Sequence, residues 1–403
     1  MLSLCSIKIN NQNTTSPANK KTSAPNFFGK ISNKDELEIK GKETTAKVFT
    51  KDVNYDTYAQ IKTIASHPIF KDTPIRIMPD THAGKTAVVG FTAPVECERG
   101  IIPSLISGDI GCGMLCVQVD TNGENIDFEK LDNIIHSQIA SQSSDESKIK
   151  HKYSKDIVKP IEDKCKEYNT PSEKALNTLG TLGSGNHFIE LDKDKNDNIY
   201  LIIHTGSRGL GTDIYNHYQS IAKKQNPYNI KDLSYLSGDE AKEYLQDSKL
   251  AIKYSRLNRR IIADEIIKGM GWKEKSSFES IHNYIDDDGI LRKGSIKAYS
   301  DDKILIPLNM RDGAIIAKGK GNPDWNYSAP HGAGRQYSRS DASTQFDINQ
   351  YKQEMNGVYS SCINEKTLDE SPMAYKNSDM IINTIKDTAE IIDIIKPIYN
   401  FKN

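Results

Sequence analysis

Residues 187–206, HFIELDKDKNDNIYLIIHTG, decide the fold class, because two apolar runs flank a short polar turn. HFIEL and IYLIIH on either side of KDKNDN predict a β-hairpin. From Ala46 onward, further Ile- and Val-rich runs such as IRIMPD at residues 75–80 alternate with glycine-bearing turns and amphipathic helical stretches. This alternation predicts an α+β fold, a mixed α/β domain with central β-sheets and surrounding helices.

Three stretches have the apolar periodicity of helices, at residues 125–176, 240–268 and 378–395. In the second, apolar residues recur at helical spacing from Leu245 to Ile261, which indicates packing against a core. The third helix is predicted to end before Pro397, because proline cannot continue a helix.

The length of 403 residues exceeds the size at which single cores usually stop growing, yet no linker divides the chain. Residues 1–45 are rich in Asn, Thr, Ser and Lys, which predicts a poorly ordered or loosely docked N-terminal extension. Residues 46–403 are predicted to form one large domain.

Composition sets the expected compartment and partners. No apolar run approaches the roughly 18 residues that span a bilayer, so no membrane association is expected. The first residues lack a secretion signal and the six cysteines form no CxxC pair, which favours the cytoplasm. Since the net charge is −1, a nucleic-acid partner would need a local basic surface.

Five of the nine histidines lie in segments that Gly, Asp or Asn residues flank. Glycine lets the backbone turn sharply beside a side chain that faces a ligand. One such histidine is as well explained by an ordinary turn, but five together indicate a functional site. They lie in MPDTHAGK (78–85), LGSGNHFIEL (182–191), IIHTGSRGLG (202–211), SIHNYI (280–285) and SAPHGAGR (328–335).

The segment SGDIGCGM (107–114) suggests a metal site. Asp109 and Cys112 are three residues apart in a glycine-rich turn, so a carboxylate and a thiolate can converge on one ion. Alternatively, Cys112 is a small buried hydrophobe and Asp109 an Asx-turn residue. With His187, His204 and His282, the ligands suffice for two metals if the thiolate bridges them, and two-metal sites suit phosphoryl transfer. Ligand softness alone favours zinc.

SAPHGAGR is the most specific single segment. Gly332 and Gly334 leave the imidazole of His331 open, and Arg335 can neutralise a phosphate. Such an imidazole can act as a nucleophile, and its attack on a nucleoside triphosphate would give a phosphoramidate. The alternative is a glycine turn with an incidental histidine. No GxxxxGK[ST] segment occurs, which disfavours a P-loop enzyme.

With these residues in hand, the chain closely resembles the RtcB RNA-splicing ligases. Six segments occur in family order between Val48 and Lys402: MPDTHAGK, SGDIGCGM, LGSGNHFIE, HTGSRGLG, HNY and HGAGRQYSR. The resemblance implies one RtcB-type RNA ligase domain over residues 46–403. It also implies two Mn²⁺ ions in place of zinc, with the ligands Asp109, Cys112 (bridging), His187, His204 and His282.

The resemblance further implies that His331 attacks the α-phosphorus of GTP and becomes guanylylated. GMP would pass to an RNA 3′-phosphate, and a 5′-hydroxyl would then seal the strand, while a 2′,3′-cyclic phosphate must first be opened. Glu190 can accept hydrogen bonds from guanine N1 and N2. By motif position, the nucleotide contacts are Asn186, Glu190, Asn283, Asn309, His331, Gly332, Ala333, Gly334, Tyr375 and Lys402.

One segment departs from the family pattern. Many members have a GSMG-like segment before HGAGR, whereas residues 306–313 are IPLNMRDG. Asn309 stands where a serine that contacts the nucleotide phosphates is expected, and Arg311 follows. The RNA substrate, tRNA halves or other cleaved RNA, therefore stays open.

Two other functions are compatible with these residues. One is a dinuclear phosphohydrolase without a nucleotidyl intermediate. The other is an RNA-binding or regulatory relative, suggested by the altered segment and the N-terminal extension. A monomer and an activating protein partner complete the expectations for the ligase.

Overall fold

The computed structural model describes residues 30–31, 36–123, 125–139 and 155–402. Its strands are β1 (Lys30–Ile31), β2 (Leu37–Lys40), β3 (Thr45–Val48), β4 (Ile75–His82), β5 (Val89–Pro94), β6 (Gly113–Asp120), β7 (Phe188–Lys193), β8 (Ile199–Thr205), β9 (Lys273–Ile281), β10 (Asn283–Ile285), β11 (Ile290–Lys293), β12 (Ser295–Lys297), β13 (Lys303–Asn309), β14 (Gly313–Gly319), β15 (Ser328–Pro330) and β16 (Ala389–Lys402).

The α-helices are α1 (Tyr55–Ala65), α2 (Pro103–Ile106), α3 (Phe128–Gln138), α4 (Lys155–Glu167), α5 (Ser172–Asn177), α6 (Arg208–Gln225), α7 (Asp239–Met270), α8 (Arg339–Gln345), α9 (Ile348–Glu354) and α10 (Ser378–Thr384). Short 3₁₀ helices cover Pro68–Phe70, Lys231–Leu233, Pro323–Trp325, Glu365–Glu370, Pro372–Ala374 and Ile385–Asp387. Among the described helices, none combines the length and apolarity needed to cross a membrane.

Two seven-stranded sheets form the frame of the described residues. The first has the order β1-β2-β3-β4-β5-β11-β10, and the second has the order β13-β14-β16-β7-β8-β6-β9. The chain passes from the second sheet to the first at His282, between β9 and β10. Strands β12 and β15 form a separate antiparallel pair. With helices packed around mainly antiparallel sheets, the structure confirms the predicted α+β class.

The hairpin predicted from residues 187–206 is confirmed as β7 and β8, with Phe188 opposite His204. All seven residues of β8 are buried, because both of its edges are paired and both of its faces are covered. Leu201 lies in an apolar cluster with Ile262 of α7. Ile202 faces the other way and shares a cluster with Leu305 of β13, because the sheet curls onto itself.

The predicted helix at residues 240–268 is confirmed as α7, which ends at the left-handed Gly271. Its fully buried residues include Tyr244 and Tyr254, whereas Leu245 and Ile261 pack only partly against the core. In the predicted helical region 125–176, the structure has α3, α4 and α5. Residues 140–154 of that region lie outside the described residues.

The prediction of one helix over residues 378–395 is wrong. Helix α10 ends at Thr384, and the chain then forms the long strand β16. β16 pairs with β14 on one side and with β7 on the other, and these two hydrogen-bonded ladders outweigh the helical spacing of its isoleucines. Pro397 is tolerated where the β16–β7 register shifts between Pro397 and Tyr399.

The N-terminal region is described only in part. Residues 1–29 and 32–35 of the predicted extension lie outside the described residues. Strand β2 pairs with β3, and its Leu37 and Ile39 are buried. The first sheet therefore includes residues before Ala46, and a separate extension stays a prediction for the rest.

A buried histidine makes the stability of the fold pH-dependent. His67 is fully buried, its Nδ1 accepts from the backbone N–H of Ile69 (3.3 Å), and its Nε2 lies 3.0 Å from the carbonyl of Leu233. Only an imidazole that is neutral and protonated at Nε2 fits both partners. Burial lowers the pKa of His67 to about 4.

The unfolded chain takes up the His67 proton near pH 6.5, whereas the folded chain resists it. Stability is therefore expected to fall by about 2 kcal/mol from about pH 7 to about pH 5 on account of this residue. Denaturant unfolding of wild type and His67→Gln at both pH values measures the difference, with His217→Gln as a partly exposed control. Equal pH dependence in wild type and His67→Gln would contradict the expectation.

Candidate metal centre and adjoining cavity

Four of the predicted metal ligands lie at one edge of the second sheet. Cys112 directly precedes β6, and His187 directly precedes β7. His204 lies near the end of β8, and His282 directly follows β9. Because β7, β8, β6 and β9 are neighbours and antiparallel, these starts and ends meet at the same edge. Asp109 joins them from the turn that leads into β6.

The predicted ligands form two groups that share one thiol. The Sγ of Cys112 lies 3.6 Å from His187 Nε2 and 3.3 Å from His204 Nε2. Asp109 Oδ2 is 3.7 Å from His187 Nε2, and the Nε2 atoms of His204 and His282 are 3.3 Å apart. In each group, Asp109–Cys112–His187 or Cys112–His204–His282, the donor atoms lie within 4.8 Å of one another.

Two of the imidazoles direct lone pairs at the shared thiol. His187 Nδ1 lies 2.9 Å from the carbonyl of Leu182, and His204 Nδ1 lies 2.9 Å from the carbonyl of Asn186. Because a carbonyl only accepts, both rings are protonated at Nδ1 and keep a lone pair on Nε2. Burial lowers the pKa of His204 well below its usual value, so this ring stays neutral. Converging buried lone pairs fit a metal ion between them.

The thiol itself is protonated in the metal-free chain. Burial raises the pKa of Cys112, and the neighbouring Asp109 carboxylate raises it further. A metal would have to displace this proton, because thiolate is the form that binds metals. The donor set of one carboxylate, one thiol and three imidazoles is compatible with metal binding.

Helix α7 positions the turns that carry these ligands. The guanidinium of the fully buried Arg259 donates to the carbonyls of Gly111 (3.0 Å) and Thr205 (2.8 Å). Beside it, the side-chain amide of Asn258 donates to the carbonyl of Thr181 (3.0 Å). Helical periodicity predicted core packing for α7, and it contained no sign of this role.

His331 directly follows β15, and its ring centroid lies 4.8 Å from that of His282. Its Nδ1 lies 2.7 Å from Asp80 Oδ2, and its backbone N–H donates to the same oxygen (3.2 Å). Asp80 lies on β4 and is fully buried. The aspartate thus holds the proton on Nδ1 and leaves the lone pair on Nε2.

Glycine is required at position 334 for this approach. Gly334 has a φ of +76°, and a Cβ there would lie 2.1 Å from the carbonyl oxygen of Asp80. No other residue fits such a separation without moving the backbone. The second glycine of HGAGR therefore brings the loop of His331 onto β4.

A cavity of about 660 Å³ opens beside His331. Asn283 does not line it: its side chain donates to the carbonyl of Asp109 (3.3 Å) and accepts from the backbone N–H of Gly294 (3.0 Å), close to the metal ligands. The other predicted nucleotide contacts all line the cavity: Asn186, Glu190, Asn309, His331, Gly332, Ala333, Gly334, Tyr375 and Lys402.

A buried carboxylate occupies one side of the cavity. Glu370 pairs with Lys402, Arg339 and Arg335, and it accepts from the Tyr375 hydroxyl (2.5 Å). Burial alone would raise the pKa of Glu370, but the charges of Lys402 and Arg339 lower it to about 2. Two predicted nucleotide contacts, Lys402 and Tyr375, are therefore held by the same anion.

Two more predicted contacts have defined partners. Burial raises the pKa of Glu190 to about 7, and the Asn400 amide donates to its Oε2 (2.6 Å). Asn309 closes the turn between β13 and β14, because its side chain accepts from the backbone N–H of Asp312 and donates to the Asp312 carboxylate. Arg311 also pairs with Asp312. At the position where the GSMG-like segment is expected, this chain therefore has Asn309, whose amide closes a turn in the cavity wall.

Three charged residues that contact predicted site residues or one another were not singled out from the sequence: Asp80, Arg339 and Glu370. Asp80 belongs to MPDTHAGK, and an aspartate two residues before the histidine of that segment was an available signal. Arg339 ends the segment HGAGRQYSR, but nothing local indicates its pairing with Glu370, which lies in another segment of the chain.

Fold and site define a protein with a candidate metal centre beside a cavity that the imidazole of His331 lines. The family model described as tRNA-splicing ligase RtcB matches residues 60–403. The chain belongs to the RtcB family, and this membership supports RNA ligation as its activity.

Individual relatives are also named as RNA-splicing or tRNA-splicing ligases RtcB. The chain is 28% identical over 398 aligned residues to the RNA-splicing ligase RtcB of Escherichia coli K12, covering 87% of this chain and 96% of the relative. It is 26% identical to the tRNA-splicing ligase RtcB of Aeropyrum pernix, covering 76% and 82%. It is 24% identical to that of Methanococcus maripaludis, covering 91% and 95%.

Proposed function

We propose that this chain is a GTP- and Mn²⁺-dependent RNA ligase that joins 3′-phosphate or 2′,3′-cyclic phosphate ends to 5′-hydroxyl ends. The arrangement of His331 carries this proposal. Its Nδ1 is held by Asp80, its ring lies 4.8 Å from that of the metal ligand His282, and it lines the cavity. Membership of the RtcB family supports RNA as the substrate.

Two Mn²⁺ ions would be held by the two groups that share Cys112. Asp109 and His187 complete one set of ligands, and His204 and His282 complete the other. When bound, such ions polarise phosphate oxygens and stabilise the charge that develops during phosphoryl transfer.

In the first step, His331 Nε2 attacks the α-phosphorus of GTP. A P–N bond forms, the bond from the α-phosphorus to the bridging oxygen breaks, and pyrophosphate leaves. The Asp80 carboxylate accepts from Nδ1–H throughout and stabilises the positive charge on the ring. Glu190, buried in the cavity wall, can accept from guanine N1 and N2, which would select GTP over ATP.

In the following steps, an oxygen of the RNA 3′-phosphate takes GMP from His331, and the P–N bond breaks. The 5′-hydroxyl of the second RNA end then attacks the activated 3′-phosphate and releases GMP. A 2′,3′-cyclic phosphate would first be opened by water. The substrate is proposed as cleaved RNA, with tRNA halves as one case.

Incubation of the chain with α-labelled GTP and Mn²⁺ tests this function. The expected result is an acid-labile label on the protein, followed by sealing of 3′-phosphate and 5′-hydroxyl RNA. α-Labelled ATP and a reaction without divalent metal serve as controls. Sealing without any labelled protein would contradict the guanylylated histidine.

Replacement of Asp80 by asparagine is expected to slow labelling of His331 by about 10²- to 10⁴-fold. Asparagine has nearly the same shape, but it lacks the charge that favours a protonated Nδ1 and stabilises the cationic ring. Labelling kinetics of Asp80→Asn provide the measurement, and Asp80→Glu tests rescue by the charge.

The content of bound Mn²⁺ and the thermal unfolding of Asp80→Asn separate positioning from structural damage. Both are expected to match wild type, because Asp80 belongs to neither ligand group. Unchanged labelling in Asp80→Asn would show that the carboxylate does not position the nucleophile.

A further inference from the structure

A second imidazole lies in the cavity and shares its anchor with His331. His82 is the last residue of β4, and its Nδ1 lies 3.1 Å from the backbone carbonyl oxygen of Asp80. The side chain of the same aspartate holds His331. Both histidines line the cavity, so one residue positions two imidazoles around one reaction space.

The hydrogen bond determines which nitrogen of His82 carries the proton. A carbonyl oxygen only accepts, so Nδ1 must donate and Nε2 must keep its lone pair. In the part of the chain that the structure describes, the His82 ring makes no second hydrogen bond. Its Nε2 is therefore available to a bound molecule.

The surroundings of His82 keep the ring neutral. Burial lowers its pKa to about 4, and the neighbouring His331 and Lys376 act in the same direction. The Asp80 carbonyl and carboxylate oppose this effect more weakly. A neutral imidazole with a free lone pair is the form that can accept a proton.

Lys376 also holds the end of β4 in place. Its ammonium is nearly fully buried and donates to the carbonyl of Thr81 (2.9 Å) and to that of Pro79 (3.4 Å). His82 thus projects from a segment whose backbone is fixed on both sides of Asp80. A base for catalysis needs this kind of fixed position.

The joining of a 3′-phosphate end needs a base in one specific step, and this argument rests on the proposed function. His331 attacks GTP with a lone pair, and the RNA 3′-phosphate oxygen that takes up GMP is already ionised. Neither nucleophile loses a proton. The 5′-hydroxyl that seals the strand must lose one, and the metal-ligand and nucleophile assignments leave this proton without an acceptor.

We propose that His82 is the general base of the sealing step. As the 5′-oxygen forms its bond to the activated RNA 3′-phosphorus, its proton moves to His82 Nε2. The bond between that phosphorus and the oxygen of GMP breaks, and GMP leaves with the electron pair. The imidazolium then releases its proton to solvent.

The test isolates sealing from the earlier steps by supplying RNA whose 3′-phosphate already bears GMP, together with a 5′-hydroxyl RNA. His82→Asn removes the base, while its side-chain amide can still donate to the Asp80 carbonyl. Sealing is expected to fall about 10²- to 10⁴-fold, while labelling of His331 by GTP is expected to fall much less, because His331 loses no proton when it attacks GTP. The control His136→Asn alters a ring that is 56% exposed and does not line the cavity, so it should leave both reactions unchanged.

The pH profile adds a readout that a structural role would not change. In wild type, the sealing rate is expected to fall on the acid side as the base becomes protonated, and this limb should be absent in His82→Asn. Wild-type sealing by His82→Asn, or an equal loss of sealing and labelling, would overturn the proposal. If wild-type protein seals the activated RNA but takes no label from GTP, the guanylylation proposal fails. Comparison of sealing by His82→Asn and by wild type still tests whether His82 is the base.

Discussion

Replacement of His331 by alanine is expected to abolish labelling of the protein by α-labelled GTP, with a loss of about 10³-fold or more. In the proposed reaction, the imidazole supplies the atom that forms the P–N bond, and among the histidines that line the cavity only His331 is anchored on the Asp80 carboxylate. Time courses of protein labelling in the presence of Mn²⁺ provide the measurement. Sealing of RNA 3′-phosphate ends should be lost in parallel.

The same variant separates the ligase from a dinuclear phosphohydrolase. Because His331 belongs to neither ligand group, His331→Ala should bind as much Mn²⁺ as wild type. RNA whose 3′-phosphate already bears GMP should still be sealed, since that step does not use the P–N bond. Retained labelling would reject His331 as the nucleophile. Phosphatase activity that persists in the variant, with no label on wild type, would favour the hydrolase.

Replacement of Cys112 by serine is expected to lower the affinity for Mn²⁺ by more than about 100-fold. Loss of a residue that only hydrogen-bonds to a metal ligand typically lowers the affinity about 10- to 100-fold, and loss of the ligand itself should cost more. Cys112 is the member that both ligand groups share. A serine hydroxyl does not ionise at neutral pH and cannot replace a bridging thiolate. Mn²⁺ titrations followed by metal analysis should show fewer than two bound ions, and both labelling and sealing should be lost.

Cys116 offers a matched control for this experiment. It lies on β6, the strand that Cys112 directly precedes, and it is equally buried, but it belongs to neither ligand group. Cys116→Ser should therefore keep the metal content of wild type, apart from any loss of stability. Two ions bound with wild-type affinity in Cys112→Ser would contradict the bridged arrangement.

Secondary structure was predictable where the apolar residues of a segment recur with one clear period. The alternation around KDKNDN predicted β7 and β8, and the long apolar spacing predicted α7. Residues 389–402 were predicted wrongly, because their isoleucines fit a helix and a strand alike. Their pairing with β14 and β7 decided the outcome, and these partners are distant in the chain.

The candidate site was predictable only in part, because some of its contacts join residues that are distant in the chain. The three histidine ligands lie in or next to the ends of strands, and the five predicted ligands lie in two compact groups. The anchoring of His331 by Asp80 joins residues 251 positions apart, and no local pattern indicates such a contact. The bracing of the metal-ligand turns by Arg259 was hidden for the same reason.

The amino-acid sequence by itself determined which side chains this protein offers for the candidate metal site and for the proposed nucleophile, because glycine-rich segments permit the sharp turns that expose such side chains. Only the tertiary structure decided which nitrogen of each imidazole carries a proton. That choice depends on the carbonyl or carboxylate that the opposite nitrogen meets, and long-range packing alone brings these partners together.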